Sequence, residues 1–392
     1  MVAFMGLLIT YIIQTFVPSF GTPLQQVVVC VVFACIVGTI AYIGVTGSTF
    51  ASIIINVIQI IALVTFSVLA VAYRLQHPEI HYLHPSALSV ITPHDLSGLV
   101  FQSTIAILLV VGFESATALA AEAKNPGRDI PRGVLLSLVI QAVIFYLLEY
   151  FAANLFINSA YKNNAGTGFA AAFGSGAPIG DMAHIIGDKL LGGNGLAFAT
   201  IIAVTVLIAL IGTALSCLNT GVRVTYAMGK DAELPTIFGF LHGRFRTPHV
   251  GVIVLTVLSA VIGSYGVLNV DNLTQITLVS NIGTFLLYGM TCLICIIAFV
   301  DVQGRNLFNT AIVPLLGVIL NVAMLIGVVY FSITGGGSTQ VDVIIAGVFS
   351  IAWLVIGFGY LYVRKLVSGV PILYPKDHKA KQSTLASVPT TV

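Results

Sequence analysis

Apolar residues gather along this chain in runs of about 20, the length a helix needs to cross a hydrocarbon core of ~30 Å. The runs lie near 2–19, 24–43, 50–73, 98–123, 134–157, 195–222, 250–268, 276–300, 309–331 and 341–363, and they predict ten transmembrane helices. Turn signals separate most of them: Pro18 to Pro23, Gly44 to Ser48, the interval 124–133, and Gly335-Gly336-Gly337-Ser338. The intervals 74–97 and 158–193 are longer. The second is rich in Gly, Ala and Asn and reads as an irregular loop. The polar stretch 366–392 reads as a flexible tail.

Composition sharpens this picture. Hydrophobic residues make up 58% of the 392 positions, charged residues 8%, and the mean hydropathy is +1.04. A soluble domain carries about 25% charged residues, so the solvent for most of this chain is lipid. The fold class expected is all-α and integral to the membrane. The basic residues form no dense patch, which argues against a nucleic-acid partner. Cys30, Cys35, Cys217, Cys292 and Cys295 all lie in apolar runs and read as plain membrane-helix cysteines, even the CxxC pair at 292 and 295. His77, His81, His84 and His94 share one interval without an acid or cysteine cluster, so no metal and no cofactor is expected.

An even number of spans puts both ends on one side. With both inside, the inner loops and ends hold 13 of the 16 Lys and Arg residues and the outer loops hold Arg74, Lys162 and Lys189. That bias satisfies the positive-inside rule. A multi-pass protein of the cytoplasmic (plasma) membrane, with both termini cytoplasmic, is the expectation.

Acids are rare inside the runs. Glu114 lies well within one, Glu149 within the next, and Asp342 at the edge of the last. An intramembrane acid is costly and normally meets a cavity or a partner. Glu114 follows Gly112-Phe113 and precedes Ser115, and a glycine weakens a helix at that point. Freed backbone groups are tolerated at membrane depth only where they line a cavity or meet protein. Transporters use such a discontinuous helix to receive substrate at the midplane. The reading is therefore a helix broken near 112–115, with halves at about 98–111 and 116–123, followed by an inner loop shaped by Pro126 and Pro131. A neutral buried acid bonded to a neighbouring helix is the alternative.

Two long stretches carry a resemblance. GFESATALAAEAKNPGRDIPRG, from Gly112, and VRVTYAMGKDAELPTIFGFLHGRFRTPHV, from Val222, look like the sixth helix with its loop and the end of the eighth helix with its loop in amino-acid permeases. These belong to the amino acid–polyamine–organocation superfamily, and the likeness covers essentially 2–365. It implies an inverted-repeat transporter bundle, with 2–73 as a remnant of the first repeat, 98–300 as the second, 309–363 as two accessory helices and 366–392 as a cytoplasmic tail. The family has twelve spans against ten here. The expectation is an N-terminally incomplete form lacking the first two helices, including the other broken helix.

The resemblance implies an amino acid as substrate, carried by alternating access rather than altered by an enzyme. Its amine would meet carbonyls near Gly112 and Phe113, with Val111, Glu114 and Ser115 around them. Relatives that bind cations often have an aromatic residue three or four positions before the glycine; Leu108 and Leu109 stand there, which leans toward neutral or apolar substrates. Thr213, Ser216 and Asn219 share one face of their span, as do Thr277, Ser280 and Thr284. Each face meets either the substrate or a neighbouring helix. Sodium-independent relatives often carry a lysine in the span that matches 50–73; here only Asn56 and Gln59 are strongly polar inside it. The candidate coupling positions are Glu114, Asn56 and Glu149, and the coupling partner is a proton or an exchanged amino acid. The competing reading is a truncated membrane polypeptide without independent transport activity.

Overall fold

The computed structural model describes residues 1–44, 49–92, 95–164, 166–231, 233–302, 305–335 and 337–368. The turn at 45–48, His94, Gly336 and the tail beyond 368 fall outside the described residues, as do the side chains of Leu108, Leu109, Glu122 and Glu149.

The chain is helical almost throughout. In order come α1 (Val2–Phe16), α2 (Pro23–Ile43), α3 (Thr49–Gln76), the short α4 (Ala87–Ile91) and α5 (Leu96–Val110). A 3-10 segment (Phe113–Glu122) leads to α6 (Pro126–Ala142), a π-helical turn (Val143–Tyr150) and α7 (Phe151–Phe156). A two-stranded hairpin of β1 (Lys162–Asn163) and β2 (Gly166–Thr167), α8 (Phe169–Phe173) and α9 (Pro178–Leu190) follow. The rest is α10 (Gly195–Lys230), a 3-10 turn (Thr236–Gly239), α11 (His249–Gly266), α12 (Val270–Ala298), a π turn (Phe308–Ile312), α13 (Val313–Gly335) and α14 (Gly337–Ser368).

Among the described residues seven helices are long and apolar enough to cross a membrane, against the ten expected. The other three predicted spans are helical but short or interrupted. The first stops at Phe16, because the residue before Pro18 is pushed out of helical geometry, and Val17 lies at φ −130° and ψ 86°. The fourth breaks after Val110. The fifth starts early, at Pro126, and passes through the π turn.

That early start corrects the predicted inner loop. Pro126 does not shape a loop; it opens α6 with its fixed φ, and Pro131 lies inside the helix. The stretch 158–193 is likewise no irregular loop. It folds into the hairpin, α8 and the 13-residue α9, whose Met182, Ala183, Ile186 and Gly187 form a buried face.

Helix ends are secured locally. Thr22 and Gln25 form a reciprocal capping box ahead of Pro23, and α2 closes on Gly44 at φ 76°. Asp95 and Asn269 cap α5 and α12 through the amides of Gly98 and Asn272. Within the spans, hydroxyls turn back on their own helix, as Thr10 does to the Gly6 carbonyl at 2.7 Å and Thr65 to Ile61 at 2.7 Å.

Small residues allow close packing. A Cβ on Gly38 of α2 would stand 2.5 Å from the Thr256 side chain of α11, so that side chain packs directly on the α2 backbone. Outward faces carry exposed apolar side chains, among them Val257 and Val261 of α11 and Trp353 of α14, as a lipid-facing bundle requires.

The largest buried cluster sits where α3, α7, α9 and α10 converge, around Phe66, Tyr73, Phe156, Tyr161, Met182 and Ile186. Arg74 seals its edge. Its guanidinium donates to the carbonyls of Leu155 at 2.9 Å, His84 at 2.7 Å and Pro85 at 3.0 Å, and lies 4.5 Å over the Tyr82 ring. Backbone bonds from Leu83 to Ile157 and from Ser159 to His81, each 2.9 Å, join the two intervals that meet there.

Replacing Arg74 by Ala leaves three carbonyls without their charged donor and is expected to cost about 2–4 kcal/mol. Hydrogen exchange should show lost protection around 81–84 and 157–159 while α12 to α14 keep theirs. Burial, with Tyr73 and Glu79 adding and Arg74 opposing, pushes the Tyr82 hydroxyl from 10.0 up to about 12. The folded cap thus prefers the neutral phenol. Its contribution is intact below pH 10.0 and is lost as pH rises toward about 12, which an alkaline titration of the same exchange signals would detect.

Candidate functional site: the break after α5

The last regular turn of α5 closes with the Val111 amide on the Ile107 carbonyl at 3.0 Å. Val111 then turns extended at ψ 141°, and Gly112 takes φ 121°, a region open in practice to glycine alone. The chain resumes as the ten-residue 3-10 segment, long for that helix type, which is seldom sustained and often marks a functional site in mid-helix.

Glu114 sits at the centre of this geometry. The break strips the Gly112 amide of a helical acceptor, and the Glu114 carboxylate turns back to take it, Oε2 at 2.9 Å. The Ser115 amide reaches the Gly112 carbonyl at 3.0 Å, and the Thr117 hydroxyl the Glu114 carbonyl at 2.6 Å. Space is open beside the glycine: a Cβ there would meet nothing within 4 Å. Phe113 packs against Tyr288 of α12, ring centroids 6.0 Å apart. The buried Tyr288 hydroxyl lies near the Glu114 carboxyl yet completes no hydrogen bond. One polar group at the break is thus left open to a further partner.

The two halves have different main neighbours, though α6 and α12 touch both. α5 packs on α12 and α13, and the 3-10 segment on α6 and α10. Asn281 of α12, fully buried, donates to the Thr104 carbonyl of α5 at 2.5 Å and leaves its own oxygen without a partner.

A cavity of about 360 Å³ lies between α1, α2, α10, α11 and α12. Ser280, Thr277, Ser259 and Thr256 supply hydroxyls to its wall, and the Thr256 hydroxyl is buried without a hydrogen bond. Cys217, also in the wall, lies within electrostatic reach of Glu114, while the residues of the break themselves do not line this space.

Ser280 is therefore placed in the cavity wall. Thr213, Ser216 and Asn219 are exposed on α10, but the wall there is Ala214, Cys217, Leu218 and Gly221. Thr213 bonds its own helix at Ala209, 3.0 Å away. Asn56 is exposed on α3. Glu149 belongs to the π turn, a local widening often found at functional sites. Among the described residues no three or more His, Cys, Asp or Glu side chains cluster as metal ligands would.

Tyr288, Asn281 and Thr256 were not singled out in the sequence. Tyr288 continues the i, i+4 row of Ser280 and Thr284, and Asn281 adjoins Ser280, so extending that row would have found both. Nothing in the sequence flags Thr256.

The sequence has clear counterparts among known proteins. Residues 1–368 match the profile described as "Amino acid permease". The chain belongs to the amino acid permease family. It is similar to the branched-chain amino acid permease BcaP of Lactococcus lactis subsp. cremoris, 32% identical over 183 residues, covering 45% of this chain and 35% of the relative. It is also similar to BcaP of Bacillus subtilis, 20% identical over 253 residues, covering 64% and 48%. A third relative is the vacuolar cationic amino acid transporter 4 of Arabidopsis thaliana, 24% identical over 221 residues, covering 56% and 33%. The chain thus matches less than half the length of each of these relatives.

Gly112→Ala tests the break. The side chain has room, so any loss comes from backbone strain, about 1–3 kcal/mol. A lowered Tm is expected, whereas Gly127→Ala, in equally open space but within α6, should be neutral or stabilising. Equal behaviour of the two variants would show that φ at 112 is not constrained.

Proposed function

We propose that this chain forms the core of a secondary active transporter that carries amino acids across the cytoplasmic membrane by alternating access. The observation that carries the proposal is the break itself: an extended Val111, a left-handed Gly112 and an acid cap, beside open space. Such a break presents backbone groups to a small polar ligand where lipid could not satisfy them.

The substrate class is neutral or apolar. No charged side chain lines the cavity, whose wall is Met1, Phe4, Leu, Ile, Val and small residues with four hydroxyls. Two of the similar proteins are named as branched-chain permeases, which fits that lining. The substrate amine would meet the carbonyl side of the break, with Val111, Phe113 and Ser115 around it. Ser280, and on another face Thr213, Ser216 and Asn219, are candidate contacts farther out. Leu108 and Leu109 offer no aromatic face to a cationic substrate.

Glu114 is the proposed coupling group, because it both caps the break and lies near the open Tyr288 hydroxyl. It would carry a proton, or hold the break closed while one amino acid exchanges for another. Asn56 and Glu149 are the other candidate positions. Both termini are placed on the cytoplasmic side by the charge bias.

The experiment is uptake of a labelled branched-chain amino acid by proteoliposomes holding the full chain. Saturable uptake is expected, reduced about tenfold or more by Glu114→Ala, the size of one lost charge-assisted contact. Glu122→Ala should retain it. Equal retention by both variants rules out the role of Glu114. Absence of saturable uptake by the wild-type chain favours the competing reading, a membrane polypeptide without independent transport activity. A pH-independent rate that requires substrate on the far side identifies exchange.

A further inference from the structure

Asp181, near the start of α9, accepts more side-chain hydrogen bonds than any other acid among the described residues. Its Oδ1 takes the Tyr11 hydroxyl of α1 at 2.8 Å, and its Oδ2 takes Tyr161 at 2.9 Å and Ser175 at 2.6 Å. Ser175 is itself fixed by the Ala177 amide at 3.1 Å. Tyr11 lies 170 residues away in sequence, so this one carboxylate ties α9, near the middle of the chain, to the first helix. On the same helix the His184 imidazole lies 3.3 Å from the Asp188 carboxylate, and no Lys or Arg among the described residues is bonded to Asp181. Its charge is held by hydroxyl dipoles and favoured by the helix N-terminus.

The surroundings give this knot a mechanical meaning. Gly180 lies so close to the Tyr11 ring that a Cβ there would stand 3.0 Å from its edge and its hydroxyl. Beside it, the seam between α1, α9 and α10 encloses only about 20 Å³, bordered by Tyr11, Thr15, His184, Ala199 and Thr200. The other end of α1 walls the large cavity with Val2, Ala3 and Phe4. One helix therefore runs from the cavity to this narrow seam, whose rim at Thr15, Phe16, His184 and Leu196 is exposed and whose floor at Ala199 is buried.

We propose that Asp181 is the latch of a gate at this end of the bundle: its bond from Tyr11 draws α9 onto α1, Tyr161 and Ser175 hold the carboxylate in place, and release of the Tyr11 bond opens the buried floor of the seam at Ala199 to solvent. Neutral donors on a charged acceptor suit the task. They hold more firmly than neutral pairs, yet parting them strands no buried counter-ion, the event that makes a buried salt bridge costly to break. What the gate admits rests on the transport reading; the latch does not.

The test reads solvent access and not uptake, so the two readings can fail separately. Ala199, 6% exposed, is replaced by Cys in the full chain in membranes and labelled with an impermeant maleimide. The peptide carrying residue 199 is quantified by mass spectrometry, which sets the native cysteines aside. Asp181→Asn should raise the labelling rate about tenfold, the effect of one lost bond to a charged group. Tyr11→Phe should raise it by a comparable factor, because it removes the one hydroxyl bond that reaches α1. Ala346→Cys, fully buried among α12, α13 and α14, should label no faster in either background. Unchanged labelling at 199 in both variants overturns the latch, and so does an equal rise at 346, which would mean general loosening. If Asp181→Asn does not fold, Tyr11→Phe decides alone.

Discussion

A peptide group in hydrocarbon has no water to bond, and everything distinctive here follows from that. Most of the chain answers by being helix, with capped ends and hydroxyls folded back onto the preceding turn. Where the helix is given up, a side chain takes over. Glu114 accepts the amide that Gly112 loses, and Arg74 donates to three carbonyls at the rim of the cap. Asp181 does the same for hydroxyls, gathering three of them at one point. In each case a charge is spent where the backbone or a buried hydroxyl would otherwise stand open.

Much of this was legible from the sequence. Apolar run length located the helices, because a span must be apolar over its whole length. The sequence also marked Gly112 as a break, since a glycine next to an intramembrane acid is a strong local signal. What misled was proline. Pro126 and Pro131 look like loop residues, yet at the helix start the missing N–H of Pro126 costs nothing, and α6 takes in Pro131 one turn further along at the loss of one helical hydrogen bond. The glycine- and alanine-rich stretch 158–193 misled for a related reason. Its composition is polar enough for a loop, but Met182, Ala183 and Ile186 recur at helical spacing and bury one face of α9.

The site divides in the same way. Ser280, whose hydroxyl recurs along one helix face, lies in the cavity wall. Tyr288 and Asn281 complete the polar row on α12, and their importance comes from what they meet, Phe113 and Thr104, in a different helix. Contacts between residues 175 or more apart leave no mark in local spacing. The face of α10 shows the converse: Thr213, Ser216 and Asn219 keep regular spacing, but the helix rotation turns Ala214 and Cys217 to the cavity wall.

The length of α10 has a consequence of its own. At 36 residues and about 1.5 Å each it is a rod of roughly 54 Å, against a hydrocarbon thickness of ~30 Å. Its first turns are packed under α9 within the largest buried cluster, and its last turns lie against the 3-10 turn at Thr236–Gly239, where Gly229 and Gly239 touch backbone to backbone. A stiff element gripped at both ends and longer than the bilayer is a ruler. It fixes the separation between the two aqueous faces, so bilayers of different thickness are met by tilting the whole bundle rather than by compressing it.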